Sequence, residues 1–244
     1  SDVYKRQSSD GTHVYTVLTD GGSAAFGTLL NASVYVSTDT GATWTAKGVS
    51  AQMAQDCTDS TAATCLKQWW YESAVAVDPT DTTGNTAYVA GVDTWQTTDG
   101  GNTWTDMTNA YTGGSVHSDH HALAFQGKSS SSFYVGNDGG VWLATKTGTF
   151  TDLNAGGLNT IQFYGGSIGD VGPDAQLYGG AQDNGEDQYP RSATGTAQWN
   201  LSLGGDGGFT AVDYTNNAIV YEEQTRGAIN KSTDGGVNWA PASN

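Results

Sequence analysis

The most concentrated chemistry in this 244-residue chain is His117-Ser118-Asp119-His120-His121, which holds three of its four histidines within five positions. On an extended strand His117, Asp119 and His121 share one face and His120 takes the other, an imidazole–carboxylate set compatible with a transition metal or with substrate contact. Hydrogen-bonded structural histidines fit the same residues, so the identity of any metal stays open. A second group is Asp183-Asn184-Gly185-Glu186-Asp187. It is rich in oxygen but lacks the alternating ligands of an EF-hand loop, so no cofactor is required, and calcium or another divalent cation is a candidate. Two further carboxylates stand in glycine-rich turns, Asp138 (GNDGGVW) and Asp206 (GGDGGF).

These residues are positioned by a repeat. Ser37-Thr-Asp39-Thr-Gly41-Ala-Thr-Trp44 recurs as Thr97-Thr-Asp99-Gly-Gly101-Asn-Thr-Trp104 and as Ser232-Thr-Asp234-Gly-Gly236-Val-Asn-Trp239. Worn copies span 144–150 (ATKTGTF) and 192–199 (SATGTAQW), and the closing aromatics Trp44, Trp104, Phe150, Trp199 and Trp239 are 60, 46, 49 and 40 residues apart. Four antiparallel strands with turns need about 40–50 residues, the length of a propeller blade. In each repeat the hydroxyl and the carboxylate can accept backbone N–H bonds, while Gly supplies positive φ. The Trp would fold back as a plug, removing about 200 Å² from water and contributing roughly 5 kcal/mol before entropy. The Asp of each repeat is therefore expected to be structural.

The expected fold is all-β, a β-propeller of about five four-stranded antiparallel blades, near 8–48, 49–109, 110–154, 155–203 and 204–244, in one domain over 8–244. The first blade offers no clear inner strand, and the ring reads as part of a larger one whose open blade edges invite self-assembly. Residues 1–7 (SDVYKRQ) fit no blade pattern and read as a foreign or disordered tail. Residues 50–69 read as an insertion, with Cys57 and Cys65 forming a local disulfide contributing roughly 2–3 kcal/mol.

Strand order sorts the loops into two faces. One face carries the turns that follow each blade's second strand, where Tyr15, Tyr88, Tyr134 and Tyr178 precede Asp20, Asp93, Asp138 and Asp183, and Tyr221 precedes Arg226. Links between blades add Glu72, His117, Asp119, His120 and Asp206. With Asn184 and the aromatics Trp95 and Trp142, alongside Trp69, Trp70 and Tyr71, these residues form the expected ligand face.

The repeats resemble the Asp-box, or BNR, motif of sialidases, xyloglucan-specific endoglucanases, sortilin-type receptors and photosystem II assembly factors. They are most similar to the sortilin and xyloglucanase group. HSDHHALAF, YVGNDGGVW, YGGAQDNG and GGDGGF also resemble segments of bacterial secreted BNR-repeat proteins grouped with glycosyl hydrolases. The resemblance implies a base at Asp138 and a general acid at Asp206, although the xyloglucanases draw these from two facing propellers, and Gly136-Asn137 stands where they commonly carry Arg-Thr.

Composition bounds the function. Asp plus Glu outnumber Lys plus Arg by 25 to 9, a net charge of −16, which argues against nucleic acid and anionic membrane surfaces. Thirty-four glycines with 8 Trp, 12 Tyr and 6 Phe describe a turn-rich, aromatic-cored β protein, and no apolar run reaches membrane-spanning length. The expected protein is extracellular or at the cell surface, and non-catalytic. It presents an acidic face to a polysaccharide, peptide or protein. The alternatives are a glycosidase using Asp138 and Asp206, and a structural, self-assembling protein.

Overall fold

A computed structural model describes residues 4–8, 11–19, 32–47, 53, 69, 71–109, 113–127, 131–154, 158, 160–169, 176–190 and 199–242. Cys57, Cys65, Trp70, Asp20 and most of the 192–199 repeat lie outside them. The structure contains five separate four-stranded sheets, each antiparallel and each built in chain order. Blade one is β1 (Tyr4–Gln7), β2 (Val14–Thr19), β3 (Ala32–Ser37) and β4 (Thr45–Ala46). Blade two is β5 (Ala74–Val77), β6 (Ala87–Ala90), β7 (Thr94–Thr97) and β8 (Thr105–Asp106). Blade three is β9 (His120–Phe125), β10 (Ser132–Asn137), β11 (Gly140–Thr145) and β12 (Phe150–Asp152). Blade four is β13 (Gly165–Ile168), β14 (Gln176–Ala181), β15 (Gly185–Pro190) and β16 (Asn200–Leu203). Blade five is β17 (Thr210–Val212), β18 (Val220–Gln224), β19 (Ala228–Ser232) and β20 (Ala240–Pro241). Blades one to three belong to one compact unit, Ser1–Leu158, and blades four and five to another, Asn159–Asn244.

One expectation fails at the start of the chain. Residues 4–7, set aside as a tail, are the missing inner strand of blade one: Arg6 pairs with Tyr15 and Gln7 with Val14. Backbone pairing does not require apolar alternation, so YKRQ joins the sheet despite its two cations. Within the first unit β1 packs on β5 and β5 on β9; within the second β13 packs on β17. Within each unit neighbouring blades thus meet along their first strands.

Alternation along each strand divides the core between blades. Tyr15, Val17, Val34 and Val36 of blade one bury against Val75, Val77, Ala87, Val89, Trp95 and Trp104 of blade two. Tyr88, Ala74 and Ala76, on the opposite face of blade two, pack with Leu123, Phe133 and Val135 of blade three. In the second unit Gly180 must be glycine: a Cβ there would lie 2.2 Å from the Gly208 carbonyl oxygen of blade five.

The three full repeats are built alike. Ser37 Oγ donates to Asp39 Oδ1 (2.7 Å) and accepts from Gly41 N (2.8 Å), while Asp39 accepts from Thr43 N (2.8 Å) and Thr43 Oγ1 (2.6 Å). Thr97, Asp99, Gly101 and Thr103 repeat this set, as do Ser232, Asp234, Gly236 and Asn238. These donors hold the carboxyls of Asp39, Asp99 and Asp234 down at about 2. Each turn needs two successive positive φ values. Gly100 and Gly101 meet this freely, as do Gly235 and Gly236, but the first turn places Thr40 at 61°.

The expected Trp plug holds unevenly. Trp104 is 4% exposed and the Trp239 indole donates to Ser202 Oγ at 2.9 Å, but Trp44 is 42% exposed and Trp199 41%. The difference is one of partners. Trp104 is covered by blade one and Trp239 is held by blade four, whereas no described strand covers Trp44 on the outer side of blade one.

Candidate functional site

In the first unit the turn between β6 and β7, the link into β9 and the turn between β10 and β11 are laced together. Asp119 N donates to Val92 O (3.1 Å), His120 N to Gly91 O (2.7 Å) and Asp138 N to Asp119 O (3.3 Å). Asp119 adopts φ 64°, so the extended run expected through 117–121 is broken and β9 begins at His120. The side chains therefore separate in depth rather than alternating across one strand.

His120 is fully buried. Its Nδ1 meets Val92 O at 3.0 Å, which makes it the protonated nitrogen, and burial drives the pKa down to about 4. Asp93 is buried and accepts from Thr108 Oγ1. Trp95 is 3% exposed within the core between blades one and two, Trp69 is buried, and Trp142 packs against the core between blades two and three. His120, Asp93 and Trp95, expected at the ligand face, are therefore interior groups. Turn position located them, but depth follows from blade-on-blade packing.

Beside them a small acidic constellation runs from Glu72 and Asp119, which were expected at the ligand face but are buried, out to half-buried Asp138 and His121. Asp119 and Asp138 place carboxylate oxygens within 4.8 Å of each other. Asp138 Oδ1 lies 2.8 Å from His121 Nε2, and the Tyr71 ring meets His121 edge-on at 5.1 Å. Asp119 Oδ2 accepts from Ser118 Oγ (3.0 Å), and the buried Glu72 carboxyl lies close to it. Burial, opposed by the neighbouring Glu72 and Ser118 side chains, pushes the Asp119 carboxyl up. His117 turns its Nδ1 to Ser118 O (3.0 Å), and its side chain lies over Gly139, where a Cβ would come within 2.5 Å of the His117 Cβ and 2.7 Å of its ring.

The second unit holds an open cleft of about 440 Å³ lined by Tyr164, Gln182, Asp206, Phe209, Gln224 and Arg226, with Glu223 at its wall. Tyr164 is 58% and Phe209 66% exposed. Asp206 Oδ1 accepts from Asp183 N (3.1 Å), Asp206 N donates to Gln224 Oε1 (3.1 Å) and Tyr164 Oη to Gln182 Oε1 (2.5 Å). Asp183, at φ 61°, makes the tight turn into β15, and Asn184 Nδ2 is turned back to Gln182 O (3.0 Å).

The acidic run proposed for calcium divides at this turn. Glu186 and Asp187 lie on β15 and are buried, so they do not join a surface loop. Turn position placed Asp206 on the ligand face. Tyr164, Phe209, Gln182 and Gln224 were missed, and the exception at Arg226, where the other blades carry an acid, was the one local signal.

Fold and loop map together define an all-β protein of β-propeller type. No family model matches the chain, and no curated relative does. Among solved structures, it is similar to the GH74 enzyme of Niastella koreensis at 20% identity, over 94% of this chain and 36% of that one, with a TM-score of 0.41. It is also similar to YCF48 of Cyanidioschyzon merolae at 14% identity, over 99% of this chain and 72% of that one, with a TM-score of 0.40. A structure of YCF48 bound to D1 peptide aligns at 15% identity, over 98% and 80%, with a TM-score of 0.38. The chain thus spans 36% of the length of the Niastella enzyme.

Proposed function

We propose that this is an extracellular, non-catalytic ligand-binding propeller whose site is the cleft between blades four and five, and that its ligand is a neutral glycan. The observation that carries this reading is the exposure of Tyr164 and Phe209 in one cleft with Gln182, Gln224 and Asp206. Aromatic faces stack on the C–H faces of sugar rings, and amides with a carboxylate suit hydroxyl groups. Such sites are concave and carry a few fixed polar groups. Asp206 Oδ1 is already engaged by a backbone N–H, which favours a fixed acceptor over a group that must donate a proton.

Calorimetric titration with a panel of neutral oligosaccharides tests this. Phe209→Ala and Tyr164→Ala should each weaken binding about tenfold with the fold intact, and no reducing ends should appear. Hydrolysis that vanishes in Asp206→Asn would replace the binding module with the glycosidase. A wild-type chain binding peptides but no glycan would reject the ligand class.

A further inference from the structure

Two buried carboxyls stand behind the cleft of the second unit. Glu186 on β15 and Glu222 on β18 are both fully buried. Thr210 of β17 joins them. It stands opposite Glu222 in register, and its Oγ1 donates to Glu186 Oε2 at 2.8 Å and to Oε1 at 3.1 Å. Glu222 accepts from Gln224 Nε2 (2.8 Å) and Asn230 Nδ2 (3.2 Å). Both carboxyls are connected to the cleft wall. Thr210 follows Phe209 in the chain, and Phe209 O accepts from Glu223 N at 2.9 Å. Gln224 spends its Nε2 on Glu222 and on Gly204 O (3.3 Å), while its Oε1 takes Asp206 N (3.1 Å). Phe209, Gln224 and Asp206, which all line the cleft, are thus tied to the pair.

The groups that face the pair are acidic or neutral. Asp187 and Glu223 sit beside the two carboxyls on the same strands, and the Tyr178 phenol faces Glu186 from β14. β13, β16 and β17 bring no titratable side chain. On β19, Asn230 faces Glu222, while the neighbouring Lys231 is turned to the other side of the sheet, 5.4 Å from the Tyr221 ring centroid. The two amide donors at Glu222 favour its charged form, so one negative charge is accommodated here and a second is resisted. Burial, with repulsion from Glu222 and Asp187 and against the Thr210 bond, pushes Glu186 up to about 8.

We propose that the Glu186–Glu222 pair is a gate on the cleft, which holds its ligand while Glu186 is protonated and releases it when Glu186 ionises. The gate rests on the reading of this cleft as the glycan site. With its proton in place, Glu186 keeps β15 joined to β17 through Thr210, and Gln224 and Asp206 keep the geometry the ligand meets. Loss of the proton sets two like charges across the seam. β17 and β18 then shift from β15, Phe209 moves with Thr210, and the cleft loses affinity. With a midpoint near pH 8, about one molecule in ten keeps the proton at pH 9, so apparent affinity falls about tenfold.

Two readouts on the full chain test the gate, with circular dichroism as the check on folding. The first is fluorine NMR of a fluorophenylalanine label in place of Phe209, titrated without ligand from acid to alkaline pH. The second is calorimetric titration with the neutral oligosaccharide panel at pH 6 and pH 9. In the otherwise native chain the label should shift with a midpoint near pH 8, and affinity should be about tenfold weaker at pH 9. Glu186→Gln keeps an acceptor for Thr210 and cannot ionise. Its label should not titrate there, and its affinities at the two pH values should agree within about twofold. A label that titrates alike in both proteins, a wild-type affinity equal at the two pH values, or unfolding at pH 9 would each overturn the gate. A label that titrates as expected in a chain that binds no glycan at either pH would uphold the motion and reject the glycan instead.

Discussion

Glu186 makes the second unit sensitive to alkali. Its side chain is fully buried, accepting from Thr210 Oγ1 at 2.8 and 3.1 Å, with the equally buried Glu222 nearby. Burial, reinforced by repulsion from Glu222 and Asp187 and opposed by the Thr210 bond, pushes its pKa from 4.5 up to about 8. The folded protein therefore holds a proton here at neutral pH that the unfolded chain releases. The stability tied to that proton is fully present below pH 4.5 and is lost as pH rises through about 8. At about 1.36 kcal/mol per unit, the loss is at most about 3 kcal/mol by pH 7 and about 5 kcal/mol above pH 8. Glu222 is also raised, chiefly by burial, so the two losses overlap.

Glu186→Gln keeps the shape and an acceptor for Thr210 while removing the titration. Urea unfolding at pH 5, 7 and 9 measures the effect. The variant should match wild type within about 1 kcal/mol at pH 5 and exceed it by roughly 2–4 kcal/mol at pH 9. Parallel profiles for the two proteins would refute the reasoning, because they would mean that Glu186 is ionised in the fold or already solvated.

The repeated tryptophans should divide by partner rather than by motif. Trp104→Ala should cost about 3–5 kcal/mol and Trp44→Ala less than about 1 kcal/mol in the monomer, read by urea unfolding at low protein concentration. Equal costs would show that the turn, and not the neighbouring blade, buries the indole. Gly180→Ala should destabilise the second unit by about 3 kcal/mol or more, since the added methyl meets the Gly208 carbonyl rather than a movable side chain. A loss under about 1 kcal/mol, measured the same way, would show that blades four and five part easily.

Much of the fold was legible because its signals are local. A Ser or Thr two residues before an Asp, with glycine two further on and an aromatic after it, is a turn whose hydrogen bonds close within eight residues, as Ser37 to Trp44 shows. β9 and β11 both fall inside the expected third blade, 110–154, on either side of a glycine-rich turn. β1 was not legible: YKRQ has no period of two, and what recruits it is the free edge of β2.

The sites were legible in position and illegible in depth. Alternation tells which side of a strand a residue faces, but not whether another blade covers that side. Trp95 and Trp142 read alike in sequence, yet one is enclosed between blades one and two and the other only partly buried. Asp93 and Asp138 both follow a second-strand Tyr, yet Thr108 closes over one and His121 reaches the other near the surface. Positive φ at Asp119 removed the strand geometry on which the three-histidine reading depended. Tyr164 and Phe209 stand 45 residues apart and meet because Gly165 and Gly180 let blade five come close: a Cβ on Gly165 would strike the Phe209 ring at 2.6 Å. Glycine here acts at long range, by what its missing side chain admits. Chain-local turn propensity cannot register that effect, and so the cleft emerged only once the blades were packed.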